Sequence, residues 1–146
     1  MTNIRKVTRV KLQIDNVNDF ILIGLVSSEA DYKLSLSLNK KFKISLKNIS
    51  PIKINNTSGT EFQFSRFSDI RQSPDRIFNL FSNRSGKHFL ISKLRNIDYI
   101  LHIYDPDNKP IINELISVLR EIAGITAVFN IEPDTIKDKN LHHIMQ

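Results

Sequence analysis

The run Phe20-Ile21-Leu22-Ile23-Gly24-Leu25-Val26 constrains this chain more than any other stretch. It carries no charge and no polar side chain, so whatever it forms must be covered on both faces. Seven residues cannot span a bilayer as a helix, which takes about 20. The run therefore predicts a buried strand, with Gly24 marking either a bulge or a close approach of the backbone.

A second strand is predicted at 97–104, where Ile97, Tyr99, Leu101 and Ile103 share one face and Asp98, Ile100, His102 and Tyr104 the other. Pro106 and Pro110 follow. Then Ile112, Leu115, Ile116, Leu119, Ile122 and Ala123 recur at helical spacing, with Gly124 as a left-handed stop. Ile125–Ile131 reads as the next strand, and Glu132-Pro133 can open a last short helix carrying Ile136 and Leu141.

Residues 28–42 fit two patterns. Tyr32, Leu34, Leu36 and Leu38 alternate with polar residues, as in a strand. Yet Leu34, Leu38 and Phe42 also lie on one helical line, and Ser28 with Asp31 resembles a capping box, Asp31 being its N3 acid. The spacing favours a helix at about 28–41, followed by a strand carrying Phe42, Ile44 and Leu46. Pro51, Asn55, Asn56, Ser58 and Gly59 predict a loop over 48–59. Aromatic strands are expected at about 60–68 and 76–82, then a turn at Asn83–Lys87 and a short strand at His88–Ile91. Residues 5–14 alternate loosely as well, through Val10, Leu12 and Ile14.

The order is β-α-β, an antiparallel middle, then β-α-β again. It predicts one α+β domain over 1–146, with free ends at about 1–4 and 142–146. Its core is a single mixed or antiparallel sheet with two main helices on one face, loosely ferredoxin-like or ACT-like. Ile, Leu, Val and Phe number 22, 14, 6 and 9, enough apolar side chain for one such core.

The same residues suggest a family. Ile91-Ser92-Lys93-Leu94-Arg95-Asn96-Ile97-Asp98-Tyr99 has the spacing of the motif that names the bacterial IPExxxVDY proteins. Ile91, Asp98 and Tyr99 match; Ile97 replaces Val, and Ser92 and Lys93 replace Pro and Glu, the latter reversing a charge. Upstream, Phe20–Gly24, Ser27, Asp31-Tyr32 and Asn39 resemble that family's "FLIG…S…DY…N" segment, and Phe67 and Asn83 fall in order. The likeness covers most of residues 10–135. It implies a small cytoplasmic bacterial domain and no particular activity.

The residues themselves rule out several chemistries. There is no cysteine, hence no thiolate nucleophile, thiolate metal site or disulfide frame. Gly86-Lys87 is followed by His88, and Phe81 stands where a phosphate-binding loop needs its first glycine. GxSxG and HExxH are absent. Asp98 and His102 share a strand face but sit roughly 13 Å apart along it, too far to touch. His142-His143 reads as part of a free tail. No acid, base, nucleophile or metal set stands out, and no cofactor is implied.

Charge is uneven. Residues 1–100 hold 17 Lys and Arg against 8 acids, while residues 101–146 hold 4 against 7. Arg5, Lys6, Arg9, Lys11, Lys40, Lys41, Lys43 and Lys47 could form a polyanion-binding face or simply a solvated one. Phe62, Phe64, Arg66, Phe67, Arg76, Phe78, Phe81, Arg84, Lys87 and His88 could offer a stacking platform, but nine Phe also suit a core. With no export signal or membrane span, the cytoplasm is expected. The reading is a non-enzymatic binding or regulatory module acting through a protein partner or a second copy of itself. The alternative is weak, sequence-nonspecific RNA or polyanion binding. Asp31, Tyr32, Asp98 and Tyr99 are the shared local motif. They are expected to be structural, with Asp31 at a helix N-terminus, Tyr99 in the core and Asp98 hydrogen-bonded. The competing possibility is an acid–base pair in one pocket.

Overall fold

In the computed structural model, which describes residues 20–73, 76–104 and 111–145, the apolar run is strand β1 (Phe20–Ser27). It lies inside a six-stranded sheet whose strand pairs are all antiparallel. The other strands are β2 (Lys47–Asn55), β3 (Glu61–Ser73), β4 (Arg76–Ser82), β7 (Tyr99–Tyr104) and β8 (Ile125–Ile131). A small separate hairpin joins β5 (Arg84–Ser85) to β6 (His88–Phe89). The sheet order is β2-β3-β4-β7-β1-β8.

This order sharpens the expected β-α-β units. The strands in each unit run parallel but are not neighbours: β1 sits between β7 and β8, and β7, β4 and β3 separate β1 from β2. Both crossovers are therefore split. The β8-β1-β7 half has the arrangement of a ferredoxin-like sheet, extended at its other side by the β2–β3 hairpin.

Helix α1 (Asp31–Phe42) and helix α2 (Ile112–Arg120) cover one face. Leu34 and Leu38 from α1, and Leu115 and Leu119 from α2, pack onto Ile23, Leu25, Leu80, Tyr99, Leu101 and Val128 of the sheet. The helical line thus wins over the leucine alternation. It leaves Tyr32 and Leu36 on the outer side, 56% and 62% exposed. Of the stripe expected on α2, Leu115, Leu119 and Ile122 are buried, Ile112 and Ile116 half-buried and Ala123 exposed; the helix stops at Arg120, short of the expected stop, and Gly124 adopts φ +94° in the turn that follows. Pro106 and Pro110 lie outside the described residues.

The other face is not open. Leu90, Ile91 and Ile97 from the segment after β6, with Ile144 from a short helix α3 (Leu141–Met145), form a second core on Leu22, Ile52, Phe64, Phe81, Ile100 and Ile131. Ile97 therefore precedes β7 and packs on the opposite face from Tyr99, contrary to the alternation. It fills the space above Gly24, where an added Cβ would fall onto Ile97 Cδ1. Gly24 is thus a site of close approach rather than a bulge. The C-terminus read as a free tail is instead α3, because Ile144 is fully buried in this second core. Residues 1–4 lie outside the described residues.

Three further expectations change. The loop predicted over 48–59 is mostly edge strand β2. Pro51 fits there because its missing N–H falls in a register break between Ile49 and Ile52 at the sheet's edge; the turn is confined to 56–59. Of the strand predicted through Phe42, Ile44 and Leu46, Phe42 ends α1 and the other two lie in a connector. Lys43 turns left-handed at φ 56°, and Asn39 then clasps Leu46 through both of its amide groups. Finally, α1 begins at Asp31, not Ser28. Ala30 is its N-cap residue and gives no side-chain bond, so the capping box does not form.

Candidate functional site

The motif residues meet at one corner of the sheet, where β7 begins beside the end of β1. Asp98 N–H donates to Leu25 O at 2.9 Å, and Ser27 N–H donates to Asp98 Oδ2 at 2.9 Å. Asp98 thus extends the β1–β7 ladder ahead of the first residue of β7. Its other oxygen, Oδ1, takes Arg84 Nε at 2.6 Å. The expected backbone and basic partners are both present. One residue on, the Tyr99 ring is buried in the first core, and its hydroxyl donates to Glu29 O at 2.6 Å. That bond ties the turn between β1 and α1 to the start of β7. Burial first, and then the negative charges of Asp31, Asp98 and Glu29, push the Tyr99 phenol up to about 12.

Asn83 completes the clamp and is fully buried. Its Nδ2 donates to Leu94 O at 2.9 Å and to Ile97 O at 3.0 Å, while its Oδ1 accepts Ile91 N–H at 2.8 Å. Its own N–H donates to Asp98 O, and its carbonyl accepts Leu90 N–H, both at 2.9 Å. One side chain thereby shapes the whole 90–97 segment that covers the second face. Asn83 and the Tyr99 hydroxyl are thus bonded to backbone groups, and the Asp98 carboxylate to a backbone N–H and to Arg84.

Asp31 and Tyr32 do not mirror Asp98 and Tyr99. Asp31 is the first residue of α1, where its Oδ1 accepts Tyr32 N–H at 2.7 Å. It is a first-turn acid at the positive end of the helix, not the N3 member of a box. Neither Asp31 nor Asp98 lines either cavity described below.

The basic residues divide. Arg5, Lys6, Arg9 and Lys11 lie outside the described residues. Lys40 and Lys41 are in the last turn of α1, Lys43 caps it and Lys47 opens β2. Lys41 is engaged by Glu121 Oε2 at 2.7 Å. Of the aromatic set, Phe64 and Phe81 are buried in the second core and Phe67 and Phe78 in the first, while Phe62 is half-buried and His88 exposed.

His102 is buried beside Phe20, and burial lowers its pKa to about 4. The Asn79 amide lies 3.2 Å from its Nδ1, which accepts from Asn79 in the neutral ring. Among the described residues no three His, Asp or Glu side chains are grouped to hold a metal ion, and no helix is long and apolar enough to cross a membrane.

Two cavities flank the Ser92–Arg95 turn, and both reach Ser92 and Arg95. One, of about 700 Å³, lies between residues 92–97 and the outer strand β8, with Phe129 and Asn130 on its wall and Lys93 and Glu132 at its rim. The other, of about 480 Å³, lies between the β2–β3 hairpin, the β5–β6 hairpin and residues 139–140. Sequence reasoning pointed to Phe62, Phe64, Lys87 and His88 but missed Phe89, their next neighbour in the chain, and Arg95 and Lys139, the last of which the fold brings in from a distant segment. It also missed Phe129, whose exposure depends on β8 being an outer strand.

No family model matches this chain, and no curated protein is significantly similar to it.

Proposed function

We propose that this chain is a non-enzymatic binding module that acts by protein association, and that a second copy pairs with it along β8. The observation carrying this reading is the contrast between β2 and β8, the two outer strands among the described residues. β2 bears Lys47, Lys53, Pro51 and a register break, the usual devices that keep an edge from recruiting another strand. β8, Ile-Thr-Ala-Val-Phe-Asn-Ile, has no charge, no proline and no glycine, and Phe129 is 48% exposed. An uncharged strand meets no like-charge repulsion when it pairs antiparallel with its own copy about a two-fold axis. The commitment of Asn83, Asp98 and Tyr99 to structural bonds supports a non-catalytic role.

The chain reads as a divergent member of the bacterial IPExxxVDY proteins working in the cytoplasm. Support comes from the way Ile91, Asp98, Tyr99 and Asn83 interlock as one unit, which gives a physical reason for such a motif.

Sedimentation velocity across a wide concentration range tests the association. A reversible dimer is expected. Phe129→Lys combined with Asn130→Lys should raise its Kd by at least about tenfold, or about 1.4 kcal/mol, with unchanged circular dichroism. A monomer at every concentration, or a dimer indifferent to both lysines, would sink the proposal.

A further inference from the structure

The geometry points to the 480 Å³ cavity as a nucleotide site, taking a stacked base and a phosphate, either free or at an end of single-stranded RNA. The site is distinct from the β8 edge and does not depend on that reading. Its floor is the buried ring of Phe64, and one wall is Phe62 stacked against His88, ring centroids 3.8 Å apart. Phe89 also lines it, with the Arg84 guanidinium over its ring at 5.1 Å.

Lys87, Arg95 and Lys139 are exposed around this aromatic lining, and no carboxylate lines the cavity. Among the described residues none of the three makes an ion pair, whereas Lys41 and Arg84 both have acidic partners. Three unneutralised cations around one concave, ring-lined space set up a positive potential focused on its mouth. Asn55, Asn56 and Asn140 add amide groups at the rim. Asn140 is held in place by donating to Leu90 O at 2.9 Å.

The chemistry that suits such a site is a flat π-face with polar edges joined to a phosphate. Aromatic walls accept a base of any sequence, and lysine and arginine accept the phosphate. Inorganic phosphate alone would leave the rings unused, and an acidic peptide would satisfy only the charges. The cavity differs from the diffuse basic residues Lys40, Lys41, Lys43 and Lys47, none of which lines either cavity.

Isothermal titration of the full chain at low salt with AMP, adenosine, inorganic phosphate, a short single-stranded RNA and poly-glutamate tests this. AMP should bind more tightly than adenosine or phosphate. Lys87→Ala and Lys139→Ala should each weaken AMP about five- to tenfold, as expected for one lost charge-assisted contact near solvent. His88→Ala should weaken it about fivefold or more through lost stacking. Lys40→Ala and Lys47→Ala should change nothing. RNA binding well above AMP assigns the nucleotide to an RNA chain, and equal affinities assign it to free nucleotides; both support the site. The inference is overturned if neither AMP nor RNA binds, if poly-glutamate or phosphate matches AMP, or if the Lys40 and Lys47 variants lose as much as the Lys87 and Lys139 variants.

Discussion

Replacing Asn83 with alanine tests whether one buried amide organises the second face of the sheet. The side chain makes three hydrogen bonds, to Leu94 O, Ile97 O and Ile91 N–H, at 2.8–3.0 Å and at a site with 0% exposure. Water does not replace these bonds unless the segment opens. Each neutral bond contributes about 1 kcal/mol, and each buried group left unpaired costs about 1–3 kcal/mol. With partial relaxation of residues 90–97, the total expected is about 3–5 kcal/mol. For 146 residues, an unfolding entropy of about 2.1 cal/mol/K per residue makes this a drop in Tm of about 10–15 °C. Urea unfolding followed by far-ultraviolet circular dichroism, with linear extrapolation, gives the number directly. Asn83→Asp supplies the control on mechanism. It keeps the size and the acceptor for Ile91 N–H, but turns two donors into acceptors facing two carbonyls. It should be at least as damaging as alanine. If Asn83→Ala costs under about 1 kcal/mol, or if the aspartate variant is nearly silent, the clamp is not what holds this face.

Tyr99→Phe should lose about 1 kcal/mol through its bond to Glu29 O. Subtracting the variant's alkaline ultraviolet titration from that of the parent should isolate a phenol ionising near 12, and one ionising near the ordinary value would contradict its burial. His102, with its folded pKa lowered to about 4 by burial, contributes stability in full above its unfolded value of 6.5, and that contribution is lost as pH falls from 6.5 through 4. The loss by pH 4 should approach about 3 kcal/mol, and His102→Gln should flatten that part of the stability profile; an unchanged slope would count against a neutral buried ring. Gly24→Ala should cost about 1–3 kcal/mol because its methyl competes with Ile97, and Ile97→Ala in the same chain should recover part of that loss. Simple additivity of the two changes, measured by denaturant unfolding, would disprove the contact.

Local pattern made much of this architecture readable. The line Leu34–Leu38–Phe42 named α1 despite an alternating rival, because a helix needs only one buried stripe, and Tyr32 and Leu36 could stay wet. The α2 stripe and Gly124 were legible for the same reason. What failed to show were features decided by distant partners. Pro51 looked like a loop residue because nothing local reveals that its strand lies on an edge. Ile97 looked like part of β7 because alternation cannot register that the chain crosses to the other face to fill the space over Gly24. The burial of Tyr99 and the hydrogen bonds of Asp98 were legible, while the capping box given to Ser28 and Asp31 depended on where α1 starts, one residue after Ala30. The 480 Å³ cavity draws on four separate segments, and only the aromatic-basic part of it left a mark in one window of sequence.

The position of β8 has a consequence for synthesis. Leu22 pairs with Ile131, 109 residues further on, so β1, an uncharged apolar strand, lacks that neighbour until those residues have been added. At about 5–20 residues per second, that interval is on the order of ten seconds. During it, β1 presents a bare apolar edge as the nascent chain leaves the ribosome, and a product ending before Ile125 would keep that edge for good. Stalled or prematurely terminated chains of this protein should therefore be far more dependent on chaperones than the finished one, and rare codons between α2 and β8 would lengthen the exposure when it matters most.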